Sequence, residues 1–277
     1  MQDAFSYCAD QVRTADHDRF LATLFAPADR RDALHALYAF NIEVARVREA
    51  AREPLPGEIR LQWWSEVLGG ERSEEASANP VAAALLSTLE RYLLPAASLI
   101  ALVEAHRFDL YDEPMAAVAD LEAYAARTSA AVIALAARIL GAEAGPAAAA
   151  AGTAYAINAL LHAVPRHAAR HQLYVPIELL ERHQVHLHDI FAGRSSGELN
   201  AALAELRSLA RRHLVTTGER VKALPREALP AFLPVALVRP SLALLERGDA
   251  FAPTELSPWR RQWLLWRAAR NPARIAG

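Results

Sequence analysis

FLATLFAPADRRDALHALYAFNIEVARVREAAREPLPGEIRLQWWSEVL, Phe20–Leu68, is the stretch whose reading decides the fold. Pro27 followed by Asp29 is a helix opening. A proline in the first turn has no amide left unpaired, and an acid there meets the positive end of the helix dipole. Alanine and leucine dominate the residues after Asp29, and both lose little conformational freedom in a helix. The spacing predicts a helix to about Arg52, stopped by Pro54 and Pro56, and a second over Glu58–Leu68 that ends at Gly69 and Gly70.

The same punctuation recurs outward along the chain. Helices are predicted over Pro80–Leu94, Ala97–Leu110, Leu121–Leu140, Pro146–His171, Glu198–Ala223, Pro225–Glu246 and Pro258–Ala269, with a kink at Pro165. Arg182–Gly197 reads as a loop with a short helix, and Asp16 is placed to cap a helix. Alternating β-branched runs are nearly absent, as are repeats, Ser/Gly linkers and breaks in composition. The expectation is an all-α protein, one domain over residues 1–277, of roughly eight to ten helices.

The 277 residues are 53% hydrophobic, enough for a large core, and carry a formal charge of −2. No global field attracts nucleic acid, so a nucleic-acid partner is not expected. Cys8 is the only cysteine, which excludes an intramolecular disulfide and a cysteine-based zinc site. A reducing, cytoplasmic compartment is the expectation. Met1–Arg19 carries Asp3, Asp10, Asp16 and Asp18 and no apolar core, unlike a secretory signal. The apolar runs Ala130–Ala137 and Pro146–Leu161 are interrupted by Arg138 or are mostly alanine, and read as buried core helices rather than membrane spans.

Three stretches, Phe20–Leu68, Asn79–Gly141 and Gly152–Leu180, resemble the squalene/phytoene synthase family in order and spacing. The resemblance rests most on YAF at Tyr38–Phe40, RLQWW at Arg60–Trp64, LEAYAARTSAAVIALAARILG, and YVP at Tyr174–Pro176. It implies an isoprenoid-synthase-type helical bundle around a central cavity. It also implies enzymes that join two prenyl diphosphates head to head. Two aspartate-rich motifs on facing helices would hold magnesium, a hard cation that takes oxygen ligands from carboxylates and phosphates.

Here the sequence departs from that pattern. The first motif's aspartates align at Ala45 and Glu49, the second's at Ala163 and His167, and an arginine of the family's site aligns at Ile42. One carboxylate survives, and no Asp or Glu occurs between Glu143 and Glu178. AFNIEVARVRE, IRLQWW and LLHAVPRHAARHQLYVP are similar to the branch of the mitochondrial respiratory complex I assembly factor and its bacterial relatives. That branch implies the fold without demonstrated prenyl transfer.

Several residues carry competing readings. Glu49 is either a surviving ligand or a surface glutamate, and Glu43 is solvated or paired with Arg46. His167 and His171, four apart on a helix, have zinc or iron spacing but no evident third ligand. His183, His186 and His188 lie in a loop-like segment as surface polarity. His162, Arg166 and Arg170, at spacings of four, form either an anion site facing the cavity or a solvated stripe. Asn41, Tyr124, Asn158 and Tyr174 complete the cavity candidates. Of the adjacent Trp63 and Trp64, one is expected to be fully buried. No metal site and no cofactor are expected, magnesium entering only if the chain is a divergent prenyltransferase.

At the C-terminus Ser257 is an N-cap and Pro258 a first helical residue. Trp259, Trp263 and Trp266 then share a face, with Arg260, Arg261, Arg267, Arg270 and Arg274 around it and no acid after Glu255. Either the indoles pack onto the domain, or the face lies on the inner side of a membrane as a peripheral attachment. The functional expectation is a non-catalytic member that binds a lipid-like or isoprenoid-like ligand, or serves as an assembly or scaffold factor with a protein partner. The rival is a prenyltransferase acting through Glu49 and substrate-assisted magnesium, and a third reading is an interaction protein without a ligand.

Overall fold

The computed structural model describes residues 1–51, 53–252 and 255–277, and the described residues are helical with no strand. In chain order the helices are α1 (Gln2–Ala15), α2 (His17–Thr23), α3 (Ala28–Ala45), α4 (Val47–Ala50), α5 (Pro54–Gly69), α6 (Ser73–Ala78), α7 (Pro80–Tyr92) and α8 (Ala96–Ala105). A 3-10 turn, His106–Leu110, comes next. Then come α9 (Val118–Ala125), a π-helical turn (Ala126–Ala130), α10 (Ala131–Ile139), α11 (Gly145–His162), α12 (Val164–Ala169), α13 (Ile177–Arg182), α14 (Leu187–Phe191) and α15 (Gly197–Val221). A long 3-10 segment (Arg226–Leu237), α16 (Val238–Leu245), α17 (Pro258–Arg270) and a last 3-10 turn (Pro272–Arg274) complete the chain.

The caps follow the sequence signals. Asp16 accepts from the Arg19 amide at 3.1 Å, Asn79 from Val81 and Ala82, Ser196 from Leu199, and Ser257 from Arg260. Where long helices were expected, the chain breaks them. The helix opened at Ala28 ends at Ala45 and resumes as α4; its expected end, Arg52, lies outside the described residues. Pro54 and Pro56 do not merely stop that helix: they sit in the first turn of α5, where a missing amide costs nothing. The kink at Pro165 is a full break at Ala163. Pro230 and Pro234 remove two donors from the α ladder, and Arg226–Leu237 is drawn into 3-10 turns. Helix α1, which the sequence reading did not place, buries Cys8 and Val12 against α3 and α7.

Helix α11 is the axis of the packing, contacting α15, the π turn, α10, α16 and the long 3-10 segment. Its buried residues, among them Ala147, Ala151, Gly152, Ala154 and Ile157, are distributed around the helix, as an interior helix requires. Small side chains let neighbours approach closely, and Gly152 lies against the backbone of Ala130. Trp64 is fully buried, edge-on to Phe40 at 4.9 Å, while Trp63 is half-buried and its Nε1 donates to Glu75. Among the described residues one stretch, Arg226–Leu245, is long and apolar enough by composition to cross a membrane, with 72% of its most apolar window buried inside the fold. It is a different segment from the two apolar runs singled out in the sequence.

Candidate functional site

Ala45 ends α3, Glu49 lies on α4, Ala163 occupies the break between α11 and α12, and His167 is on α12. The two segments do face each other, and an ion pair joins them: Arg166 Nη1 lies 3.1 Å from Glu49 Oε1, with Arg170 at 3.9 Å. Arg46 Nε approaches the other oxygen of Glu49 at 3.9 Å. Glu43 is therefore not the partner of Arg46; it reaches across to Arg60 at 3.8 Å, and burial raises its carboxyl's pKa.

These residues do not fit magnesium. Two of the four positions have no side-chain oxygen, the third is an imidazole, and the one carboxylate is surrounded by arginines. His167 packs its ring 4.4 Å from Tyr174. Burial, reinforced by Arg166, pushes its pKa down to about 4, with Asp109 acting in the opposite sense. His171 lies beyond the end of α12 with φ of +56° and its ring sits tilted against Phe191 at 4.9 Å, so it does not share a helical face with His167. Among the described residues no group of three His, Cys, Asp or Glu is placed to hold a metal. His183 is paired with Glu205 at 2.6 Å.

A buried polar cluster lies behind this pair. The 3-10 turn His106–Leu110 puts His106 and Asp109 on one side, because side chains three apart eclipse in that helix. His106 Nδ1 is 2.6 Å from Asp109 Oδ2. Tyr174 donates to Asp109 Oδ1 at 2.6 Å and Tyr124 donates at 3.0 Å. Gln172 Nε2 donates to the Asp109 carbonyl at 2.9 Å. Burial, then the Asp109 charge, raises both phenols well above the ordinary tyrosine range. Tyr174 borders an apolar cavity, and the hydroxyls of both Tyr124 and Tyr174 are bonded to Asp109. Asp109 belongs to the stretch Asn79–Gly141 that carries the family resemblance, and the sequence assigned it no role in a site. It is joined to Tyr174 across 65 positions of sequence, a separation no helical periodicity reports.

The central space divides into two cavities. The apolar one, bounded by Leu121, Ile157, Leu161, Val164, Leu173 and Tyr174, is about 20 Å³, room for about one water. The other is about 390 Å³, opens beside α11 and is lined by Asn158, His162 and Arg166 together with Pro234, Leu256 and Arg261. That volume is in the small-molecule range, which starts at about 300 Å³. His162 Nε2 bonds Ser241 Oγ, Arg261 pairs with Asp18, and the side-chain Oδ1 of Asn158 is buried without a partner among the described residues. The expected stripe is thus split by the break at Ala163. His162 and Arg166 reach this cavity, whereas Arg170 does not. Asn41, half-buried on α3, lines neither cavity.

On α17, Leu265 and Ala268 are buried, while Trp259, Trp263 and Trp266 are exposed. Trp259 is mostly exposed, and Trp263 and Trp266 are each a little more than half covered. Arg260 is exposed as well, and Arg267 lies over the Trp263 ring at 4.3 Å.

With this geometry in view, comparison with known proteins gives a consistent picture. The family model "Squalene/phytoene synthase" matches residues 12–267. The rat protein "NADH dehydrogenase (ubiquinone) complex I, assembly factor 6" is 28% identical over 250 residues, covering 89% of this chain and 75% of its own. A dehydrosqualene synthase crystal structure superposes with a TM-score of 0.83 at 17% identity, covering 96% of this chain and 95% of that one. A squalene synthase from Alicyclobacillus acidocaldarius superposes with a TM-score of 0.73 at 23% identity, covering 88% of this chain and 94% of that one. The latter two likenesses concern the fold.

Proposed function

The chain belongs to the squalene/phytoene synthase family, and from that premise we propose that it is a member without prenyl-transfer chemistry, working as an assembly or scaffold factor with a protein partner. The observation that carries this reading is the Glu49–Arg166 pair at 3.1 Å. Where a magnesium cluster needs several carboxylates, this chain has one carboxylate already neutralised by arginine, facing two alanines and a histidine. An arginine in contact with a carboxylate competes with a cation for the same oxygens. The likeness to the rat assembly factor over most of both chains supports the assembly role. The apolar cavity of about 20 Å³ argues against a prenyl chain lying between these helices. The cavity of about 390 Å³ is large enough for a ligand with a polar head and an apolar body.

The test is direct. Purified protein incubated with farnesyl diphosphate and magnesium should release no pyrophosphate above the protein-free blank, and calorimetry should detect no tight magnesium binding. Turnover would overturn the non-catalytic reading. Deletion of the gene in its host should lower membrane-bound NADH dehydrogenase activity while leaving squalene and phytoene pools unchanged; the opposite pattern would assign the chain to isoprenoid synthesis.

A further inference from the structure

Trp259 is 76% exposed, Trp263 43% and Trp266 46%, although few side chains gain more from burial than tryptophan. At about 100° per residue, positions 259, 263, 266 and 270 fall within roughly 60° of one another. Leu265 and Ala268, which pack inward, lie on the opposite side of α17. Arg260 and Arg267 border one edge of this indole row. Toward the other edge, Ala269 and Pro272 share a surface hollow with Phe25 and Arg226, and exposed Leu24 stands beside Phe25. The apolar surface therefore continues from α17 onto the turn between α2 and α3.

The charge carried by this segment is of one sign. Leu256–Gly277 contains Arg260, Arg261, Arg267, Arg270 and Arg274 and no Asp or Glu, within a chain of formal charge −2. Arg261 turns inward to Asp18, whereas Arg267 and Arg270 lie over the Trp263 and Trp266 rings at 4.3 and 4.7 Å. Guanidinium groups are thereby held level with the indole rings.

We propose that this face docks on the surface of an anionic lipid bilayer, with α17 lying in the plane of the interface. Indoles partition into the headgroup layer, guanidinium groups pair with lipid phosphates there, and a helix with one aromatic face and a basic border is suited to that layer.

Flotation of the full chain with vesicles tests this. The protein should rise with phosphatidylglycerol/phosphatidylcholine vesicles at low salt, stay behind with phosphatidylcholine alone, and be released at about 1 M salt, where the screening length falls to about 3 Å. The triple variant W259A/W263A/W266A should partition at least about tenfold more weakly while circular dichroism shows it still folded. Arg260→Gln and Arg267→Gln should each weaken partitioning about fivefold, giving a second measure should the triple variant fold poorly. Vesicles carrying brominated acyl chains should quench the wild type's tryptophan emission and spare that of the triple variant. The proposal is overturned if the intact protein stays at the bottom with anionic vesicles at low salt. Equal binding to neutral vesicles, or binding that ignores all these substitutions, overturns it too. So does a dimer that the triple variant abolishes while vesicles capture nothing, a result that would assign the face to a second copy of the chain.

Discussion

Asp109 is held by side chains from three separate places: His106 on its own turn, Tyr124 on α9, and Tyr174 in the extended segment after α12. A buried carboxyl without donors is costly, and each hydrogen bond to a charged group contributes roughly 1.5–3 kcal/mol. Tyr174→Phe keeps the ring contacts with His167 and Phe108 and removes only the donor at 2.6 Å. It should lower stability by about 2 kcal/mol, or about 4–8 °C in Tm for a chain of this size. Differential scanning calorimetry measures it; an unchanged Tm would mean that the hydroxyl is no support of this cluster. At this scale the sequence reported losses better than gains. That Ala45 and Ala163 have no carboxylate is visible in the letters alone. That Arg166 spends its charge on Glu49 is not visible, because the partners come from different helices.

Helix existence was more legible than helix continuity. Alanine, leucine, caps and prolines located the longer helices from α3 onward and missed α1, α6 and α13; Pro165 signalled the break at Ala163, whereas the break at Arg46 and the π turn Ala126–Ala130 fall inside stretches of ordinary helical composition. The π turn meets α11 at Gly152, where an added Cβ would lie 2.2 Å from Ala130 Cα and 2.3 Å from its N. Backbone cannot yield as a flexible side chain can. In a helix Gly→Ala ordinarily stabilises by about 1 kcal/mol, while overpacking a core costs about 1–3 kcal/mol. The close approach to backbone decides the sign: Gly152→Ala should be net destabilising by about 1–2 kcal/mol, seen as a lower urea midpoint. A raised midpoint would show that α11 does not pack this closely on the π turn.

Across the whole molecule, the four positions that the family resemblance aligns with metal-binding aspartates lie on α3, α4, α12 and the break before α12, so a test of them must change several elements together. Ala45→Asp, Ala163→Asp and His167→Asp, combined, restore the carboxylate set that the family resemblance assigns to these positions. Weak magnesium binding, detectable by calorimetry at about millimolar metal, is the expected outcome, weak because Arg166 and Arg170 still compete for Glu49. A correctly folded triple variant, checked by circular dichroism, that binds no magnesium at any of these concentrations would show that the four positions do not converge on one site.

The sequence by itself determined the all-helical class, because composition and capping residues are local properties written one residue at a time, and its quoted motifs carried the resemblance to the family. The tertiary structure alone decided what the remaining groups do. It turned Tyr124 and Tyr174 toward Asp109, gave Glu49 to Arg166, divided the central space, and left Trp259, Trp263 and Trp266 facing outward. Helical periodicity states which residues share a face and is silent about what that face meets, since the partner comes from a distant part of the chain and its position depends on where each helix breaks.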